Sequence, residues 1–285
     1  MAIRNSESEN VLMTEEAVIR QCKIHKGYST PELNEKLYLH HLGFTKISSL
    51  DAFHQCTVLY LNNNAINNFE GIGSLQRLYA LYISNNAFQD CLSLPLLPSL
   101  RILDISCNSI ASLKGLANAP GLETLLVSRN CIENLEGLEP LENLVNLDVS
   151  LNLISKPENI LPFIFAKNTL RTCILHGNDF IGLVPSYRKT LISRLPSLRF
   201  LDRYPVFQDE RKCAEAYATG GVPAEKAQRE ENQREEEEER KKQFIFFTEH
   251  RAAAQLDRAA EGPTTARTTY FKDNETDDMI YIPNR

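Results

Sequence analysis

The stretch LYLNNNAI at residues 59–66 decides the fold, because its frame L-x-L-x-x-N-x-I returns along the chain. A weaker first copy, LYLHHLGF at residues 37–44, has Leu42 where the asparagine is expected. The asparagine of the frame recurs at a spacing of 22 residues, and finally of 26, at Asn64, Asn86, Asn108, Asn130, Asn152 and Asn178. Chance enrichment in leucine is a poor explanation for this regularity, which indicates stacked structural repeats.

Each copy predicts a short strand with one buried face, because leucine alternates with other residue types. Successive strands are expected to stack about 4.8 Å apart as a parallel sheet. The asparagine turns inward after the strand, where its amide can satisfy backbone groups that no strand pairing reaches. The six asparagines are therefore predicted to form a structural ladder. The fold class is α/β, a right-handed leucine-rich-repeat solenoid with 22-residue repeats and the parallel sheet on its concave face.

Both ends of a solenoid expose apolar edges and require caps. Thr14 suits the N-cap of an amphipathic helix that reaches about His25, with Val18, Ile19 and Cys22 facing the first repeat. After the last asparagine, a helix, a proline break and a final strand are typical of a C-terminal cap. Short helical or 3₁₀ turns are expected on the return side of each repeat.

The region beyond the C-terminal cap is polar. Residues 225–242 contain eight glutamates and six lysines or arginines, with five Glu-to-basic pairs at i,i+4, which predicts a charged, solvent-exposed helix of coiled-coil type. The cluster Phe244-Ile245-Phe246-Phe247 follows it, as a contact either with the solenoid or with a partner. The predicted organisation is a flexible N-terminus at 1–13, a capping helix and first turns at 14–36, about seven repeats at 37–180, the C-terminal cap at 181–204, an extended segment and the charged helix at 205–258, and a flexible tail at 259–285.

Composition and motifs argue against several classes of function. The net charge of -6 disfavours nucleic-acid binding, which requires clustered basic residues. The seven cysteines are odd in number and include no C-x-x-C, so disulfides and a zinc site are not expected. The start lacks the apolar core of a secretory signal, and no apolar run approaches the length that spans a bilayer. No catalytic or phosphate-binding motif is present, so we expect a soluble, intracellular protein that is not an enzyme and has no cofactor or metal.

The middle residue of each Leu-x-Leu is expected to point out from the concave face. This column reads Tyr38, Tyr60, Tyr82, Asp104, Leu126, Asp148 and Ile174, and the next outward column begins His40, Asn62 and Ser84. Three tyrosines in line favour a protein-binding surface, because tyrosine buries a large area and keeps a polar tip. The alternative is that tyrosine simply suits the surface of a sheet.

Two stretches that flank the repeats carry a resemblance to a known family. The first comprises Met13-Thr14, Cys22, His25-Lys26, Tyr28, Thr30-Pro31, Leu33-Asn34, Leu37-Tyr38-Leu39-His40 and Gly43-Phe44. The second comprises Pro205-Val206-Phe207, Asp209, Arg211, Cys213-Ala214-Glu215-Ala216-Tyr217 and Gly220-Gly221. Together they resemble the dynein axonemal assembly factor 1 family over roughly residues 13–245. Two departures are Tyr217, where tryptophan is expected, and the end of this sequence soon after the charged helix, where relatives can carry long C-terminal extensions.

The resemblance implies a scaffold for cytoplasmic preassembly of axonemal dynein arms, needed for the structure and motility of cilia or flagella. The implied partners are axonemal dynein subunits, chaperones or co-assembly factors, and the implied location is the cytoplasm and the cilium or flagellum. A monomer that binds neither nucleic acid nor membrane is expected. Two alternatives stay open, a leucine-rich-repeat scaffold that regulates a phosphatase and a structural component of the axoneme.

Overall fold

The computed structural model describes residues 11–260, 271–272 and 279–280. Nine short strands form one sheet in chain order. They are β1 (Lys36–Tyr38), β2 (Val58–Tyr60), β3 (Ala80–Tyr82), β4 (Ile102–Asp104), β5 (Thr124–Leu126), β6 (Asn146–Asp148), β7 (Thr172–Ile174), β8 (Phe200–Leu201) and β9 (Tyr204–Pro205). Strands β1 to β8 pair in parallel, and β9 pairs with β8 in the antiparallel direction.

The register of the sheet follows the sequence repeat. Leu37 pairs with Leu59 and Leu59 with Leu81, and the same column continues to Cys173 and Leu201. These middle residues are at most 1% exposed and form the core together with the apolar residues of the return limbs. One repeat alone leaves an apolar edge uncovered, so each repeat is stabilised by its neighbours. The predicted leucine-rich-repeat solenoid is confirmed.

A short helix closes the N-terminal end. Helix α1 covers Glu15–Ile24, and Thr14 is its N-cap, with the Thr14 Oγ1 accepting the Ala17 N–H at 3.2 Å. Met13 lies in the predicted flexible N-terminus, yet it is 2% exposed, and the Ser48 hydroxyl donates to its carbonyl at 2.6 Å. The flexible segment therefore ends before Met13, because this apolar side chain completes the core beneath α1. Residues 1–10 of that segment lie outside the described residues.

The return limbs carry little regular structure. Helix α2 covers Leu161–Ala166, and the 3₁₀ turns lie at Pro31–Leu33, Asp51–Phe53, Leu116–Asn118, Pro157–Asn159 and Asp179–Leu183. A 22-residue repeat leaves too few residues for a full helix once its strand and turns are formed. The limbs therefore bury apolar side chains from short turns.

The C-terminal cap contains the predicted helix and final strand, but the segment after them differs from the prediction. Helix α3 covers Tyr187–Arg194, and helix α4 covers Gln208–Ala260 with a non-helical Gly221 (φ 67°) inside it. The predicted extended segment from residue 205 is therefore wrong, because the chain is helical from Gln208. Ala214 in this first part of α4 is 1% exposed and belongs to the same core as the repeats.

Polar contacts fix the first part of α4 on the cap. The Arg211 guanidinium donates to the carbonyls of Ile192 and Leu195 at 2.9 and 3.0 Å, and also to that of Leu198, at and just after the C-terminal end of α3. Arg188 forms a bidentate pair with Glu210, with Nη2 to Oε2 at 2.7 Å. The C-terminal carbonyls of a helix need such donors, so the cap extends beyond the predicted boundary at residue 204.

Removing the Arg211 guanidinium should destabilise the cap. We expect Arg211→Met to lower the free energy of unfolding by about 2 kcal/mol, because the aliphatic stem remains while three carbonyls lose a charged donor. Urea unfolding followed by circular dichroism measures the loss. Arg203→Met is the matched control, because Arg203 is exposed. Equal midpoints for the two variants would show that the guanidinium does not hold the cap.

The C-terminal unit, Ala227–Arg285, contains the rest of α4. A Glu236–Arg240 pair at 2.8 Å lies on its charged stretch. The side chains of Phe244, Ile245, Phe246 and Phe247 are 53–69% exposed. In the predicted flexible tail, β10 (Phe271–Lys272) and β11 (Met279–Ile280) form an antiparallel pair. The other tail residues beyond Ala260 lie outside the described part of the chain.

Candidate functional site

The outward column of the sheet brings the predicted surface residues into one line. Tyr38 pairs in register with Tyr60 and Tyr60 with Tyr82, and the column continues through Asp104 and Leu126 to Asp148 and Ile174. All of these side chains are partly exposed, whereas the residues on either side of each in sequence are buried from Leu37 onward. We refer to this side of the sheet as the open face.

The three tyrosine rings form a continuous stack. The ring centroids of Tyr38 and Tyr60 are 5.0 Å apart with planes 5° from parallel, and those of Tyr60 and Tyr82 are 4.9 Å apart at 6°. His25, at the end of α1, extends the stack with its ring 4.7 Å from that of Tyr38. The spacing follows the strand separation, and such pairs hold one another in a single orientation. The N-terminal half of the open face is therefore a preformed aromatic surface.

The C-terminal half of the same column is acidic and aliphatic. The Asp104 Oδ1 accepts the Ser106 N–H at 3.0 Å, and the Asp148 Oδ1 accepts the Ser150 N–H at 2.9 Å and its hydroxyl at 2.7 Å. Leu126 lies between the two acids in the column. Each carboxylate is thus held by the turn that follows its own strand, with its charge on the open face.

The second outward column borders the aromatic stack. His40 lies edge-on to Tyr38 with ring centroids 6.4 Å apart, and the Asn62 amide donates to the Ser84 hydroxyl at 2.6 Å. Burial lowers the pKa of His40, and the nearby His41 and His25 lower it further. The uncharged form of His40 is therefore favoured near neutral pH, so this imidazole adds little positive charge to the open face.

A third column on the open face was missed in the sequence. It is the first residue of each strand, Lys36, Val58, Ala80, Ile102, Thr124, Asn146 and Thr172. The same alternation that exposes Tyr60 also exposes Val58, two residues earlier, so the signal was available. Val58 and Ile102 are partly buried and Ala80 is 3% exposed. They give the tyrosine stack an apolar border.

The asparagines of the repeat lie on the inner side of the turn after each strand. The Asn130 Nδ2 donates to the carbonyls of Ile105 and Val127 at 3.1 and 3.0 Å, and its Oδ1 accepts the Ile110 N–H at 2.9 Å. Corresponding bonds between neighbouring repeats are made by Asn64, Asn86, Asn108, Asn152 and Asn178. These amides bind backbone, so they position the open face without taking part in its surface.

His25, His40 and His41 lie close together near Tyr38, but they are not placed as a metal site. Among the described residues, no group of three or more His, Cys, Asp or Glu is placed to hold a metal ion. Burial raises the pKa of both Cys56 and Cys91 to about 12, so these thiols are protonated and pack as apolar groups. No helix in the described part of the chain is long and apolar enough to cross a membrane.

Comparison with known proteins yields partial matches. No family model matches the chain. A stretch of 72 residues, 25% of this chain, is 44% identical to dynein axonemal assembly factor 1 of Homo sapiens. The chain resembles that protein. A stretch of 89 residues, 31% of this chain, is 36% identical to the leucine-rich repeat-containing protein ODA7 of Chlamydomonas reinhardtii. The aligned region spans only 10% of the human protein and 21% of the algal protein.

These findings confirm the resemblance, over a shorter stretch than residues 13–245. Among solved structures, an internalin from Listeria monocytogenes superimposes with a TM-score of 0.52 and 23% sequence identity, covering 60% of this chain and 48% of the internalin. At that identity the likeness bears on the fold alone, which is the leucine-rich repeat.

Proposed function

We propose that this chain is a non-catalytic scaffold that binds protein partners on its open face during cytoplasmic preassembly of axonemal dynein arms. The observation that carries the proposal is the 44% identity to a dynein axonemal assembly factor. The stacked tyrosines support it independently, because they present a rigid aromatic surface on a rigid sheet. Such surfaces contribute most of the energy at protein interfaces.

The proposed partners are axonemal dynein subunits, or the chaperones and co-assembly factors that act on them. The proposed binding residues are Tyr38, His40, Tyr60, Asn62, Tyr82, Ser84, Asp104, Leu126 and Asp148. The scaffold would act as a monomer in the cytoplasm and at the cilium or flagellum. Neither nucleic acid nor membrane is part of the proposal.

Gene disruption in the source organism tests the assembly role. We expect axonemes that lack outer or inner dynein arms in electron micrographs, together with loss of motility, and rescue by the full chain. Intact arms would overturn the proposal. Cell fractionation separates the remaining possibilities, because an assembly factor stays in the cytosolic fraction. Recovery in the detergent-insoluble axoneme would instead favour a structural component of the axoneme. Affinity capture of a phosphatase catalytic subunit would favour a regulator of a phosphatase.

The tyrosine stack should be needed for partner binding. We expect the double variant Tyr60→Ala and Tyr82→Ala to weaken co-purification of axonemal dynein subunits at least about tenfold, because two aromatic anchors of the interface are lost. Immunoblotting of affinity-purified, tagged chain from the disrupted strain measures the loss. Tyr204→Ala is the control, since Tyr204 is 66% exposed and lies outside the stack. Unchanged capture by a folded double variant would rule out binding through the stack.

A further inference from the structure

The aromatic stack on the open face ends abruptly at Tyr82. One face of the Tyr82 ring is covered by Tyr60, whose ring is nearly parallel at 4.9 Å. The next position in the column, in register on β4, is Asp104. An aspartate side chain is much shorter than a tyrosine ring, and in the part of the chain that the structure describes no ring stacks on the second face of the Tyr82 ring. The open face therefore has a step, formed by the Tyr82 ring and the Asp104 carboxylate.

The carboxylate of Asp104 is available to a ligand. Its Oδ1 accepts one backbone N–H, from Ser106. Within the described residues, no lysine or arginine lies within ion-pair distance of Asp104. Arg101, which directly precedes β4, pairs with Glu123 at 3.5 Å. The Tyr82 ring face and an unneutralised carboxylate thus adjoin on a partly exposed surface.

We propose that the Tyr82–Asp104 step receives an arginine side chain of the protein partner. This inference rests on the proposed function of the open face. A guanidinium is planar, so it can lie on the Tyr82 ring as the next layer of the stack. In that position its edge N–H groups meet the Asp104 carboxylate. One side chain would then extend the aromatic stack and neutralise the charge at its end.

Other side chains fit the step less well. A lysine ammonium can pair with Asp104, but it is compact and more strongly hydrated, so it gains less from the ring. A partner aromatic ring would continue the stack but would cover a carboxylate without neutralising it, which is costly. Arginine is the side chain that suits both surfaces.

Small peptides give a direct test. The probes are Ac-Gly-Arg-Gly-amide and its lysine and citrulline counterparts, titrated at low salt into the full chain labelled with ¹³C-tyrosine. Tyr82→Phe identifies the Tyr82 ring resonance. We expect millimolar binding of the arginine peptide that shifts this resonance, weaker binding of the lysine peptide, and no shift with citrulline, which is planar but uncharged.

Variants of two aspartates provide the matched control. We expect Asp104→Asn to weaken binding of the arginine peptide about threefold to fivefold, since the exposed ion pair is lost and only ring stacking remains. Asp90→Asn should leave its affinity unchanged, because the Asp90 Oδ1 also accepts a backbone N–H two residues on, from Leu92 at 2.9 Å, but Asp90 lies outside the columns of the open face. No shift of Tyr82, equal shifts with the three peptides, or full binding to Asp104→Asn would each overturn the inference.

The same variant separates this inference from the proposed function. We expect Asp104→Asn to reduce co-purification of axonemal dynein subunits along with the loss of peptide binding. Partner capture that depends on Tyr60 and Tyr82 but survives Asp104→Asn would overturn the arginine site and leave the open face as the binding surface. Capture that depends on none of these residues would overturn the proposed role of the face itself.

Discussion

Replacing Asn152 with alanine is expected to lower the free energy of unfolding by about 3 kcal/mol, because several buried backbone groups lose their partner at once. The Asn152 Nδ2 donates to the carbonyls of Val127 and Val149 at 3.0 Å and of Ser150 at 3.2 Å. Its Oδ1 accepts the Ile132 N–H at 3.1 Å. Asn152 is 6% exposed, so water has little access to replace these bonds.

Urea unfolding monitored by circular dichroism measures this loss. Asn67→Ala is the control, because Asn67 is an exposed asparagine outside the ladder, and we expect a change within about 0.5 kcal/mol there. Asn152→Asp isolates the donor half of the amide, since a carboxylate would face carbonyl oxygens. It should be at least as destabilising as alanine at neutral pH. A stable Asn152→Asp variant would contradict the assigned role of the Nδ2 group.

The repeat and its register were predictable from sequence. The alternation around Leu59 fixes which side chains are buried, and the 22-residue spacing fixes which residues pair between strands. Tyr60 and Tyr82 therefore had to lie side by side on the sheet. Local pattern is sufficient here because each repeat contacts only its neighbours.

The backbone conformation of the residue before each ladder asparagine could not be predicted from the sequence. The residue that precedes each asparagine is left-handed, with φ of 54–59° at Asn63, Asn85, Cys107, Arg129 and Leu151. Asparagine tolerates this conformation, but cysteine, arginine and leucine seldom adopt it. The turn is imposed by the stacked repeats, so the residue type at these positions carries no reliable signal.

The ends of the repeat domain were also not predictable, because they depend on tertiary contacts that the local sequence pattern does not indicate. The stretch after residue 205 is polar and lacks an apolar helical pattern, yet Arg211 and Ala214 pack on the C-terminal cap. At the other end, Met13 completes the core. On the open face, the repeat spacing predicts the columns of residues. The parallel orientation of the tyrosine rings and the step after Tyr82 are features of the three-dimensional structure that the spacing does not predict. The chemistry of a site depends on such geometry more than on composition.

Gly115→Ala should be the most destabilising single change in the return limbs. Gly115 has φ of 104°, and a Cβ at this position would lie 2.1 Å from the carbonyl oxygen of Cys91 in the preceding repeat. Backbone strain and overpacking then act together, so we expect a loss of about 4 kcal/mol in the free energy of unfolding. Gly71 and Gly137 occupy the same position in their repeats, with φ of 93° and 100°.

A matched glycine shows whether close approach of backbone is the cause. Gly182 has no atom within 4 Å of its position for a Cβ and has no positive φ. Gly182→Ala should therefore be neutral or slightly stabilising, by up to about 1 kcal/mol, because alanine restricts the unfolded chain. Thermal unfolding of the two variants side by side measures the difference. The same small effect for both variants would contradict this explanation. It would mean that the Cys91 carbonyl can move aside, and that glycine at the position of Gly71, Gly115 and Gly137 is not needed for the close approach of neighbouring repeats.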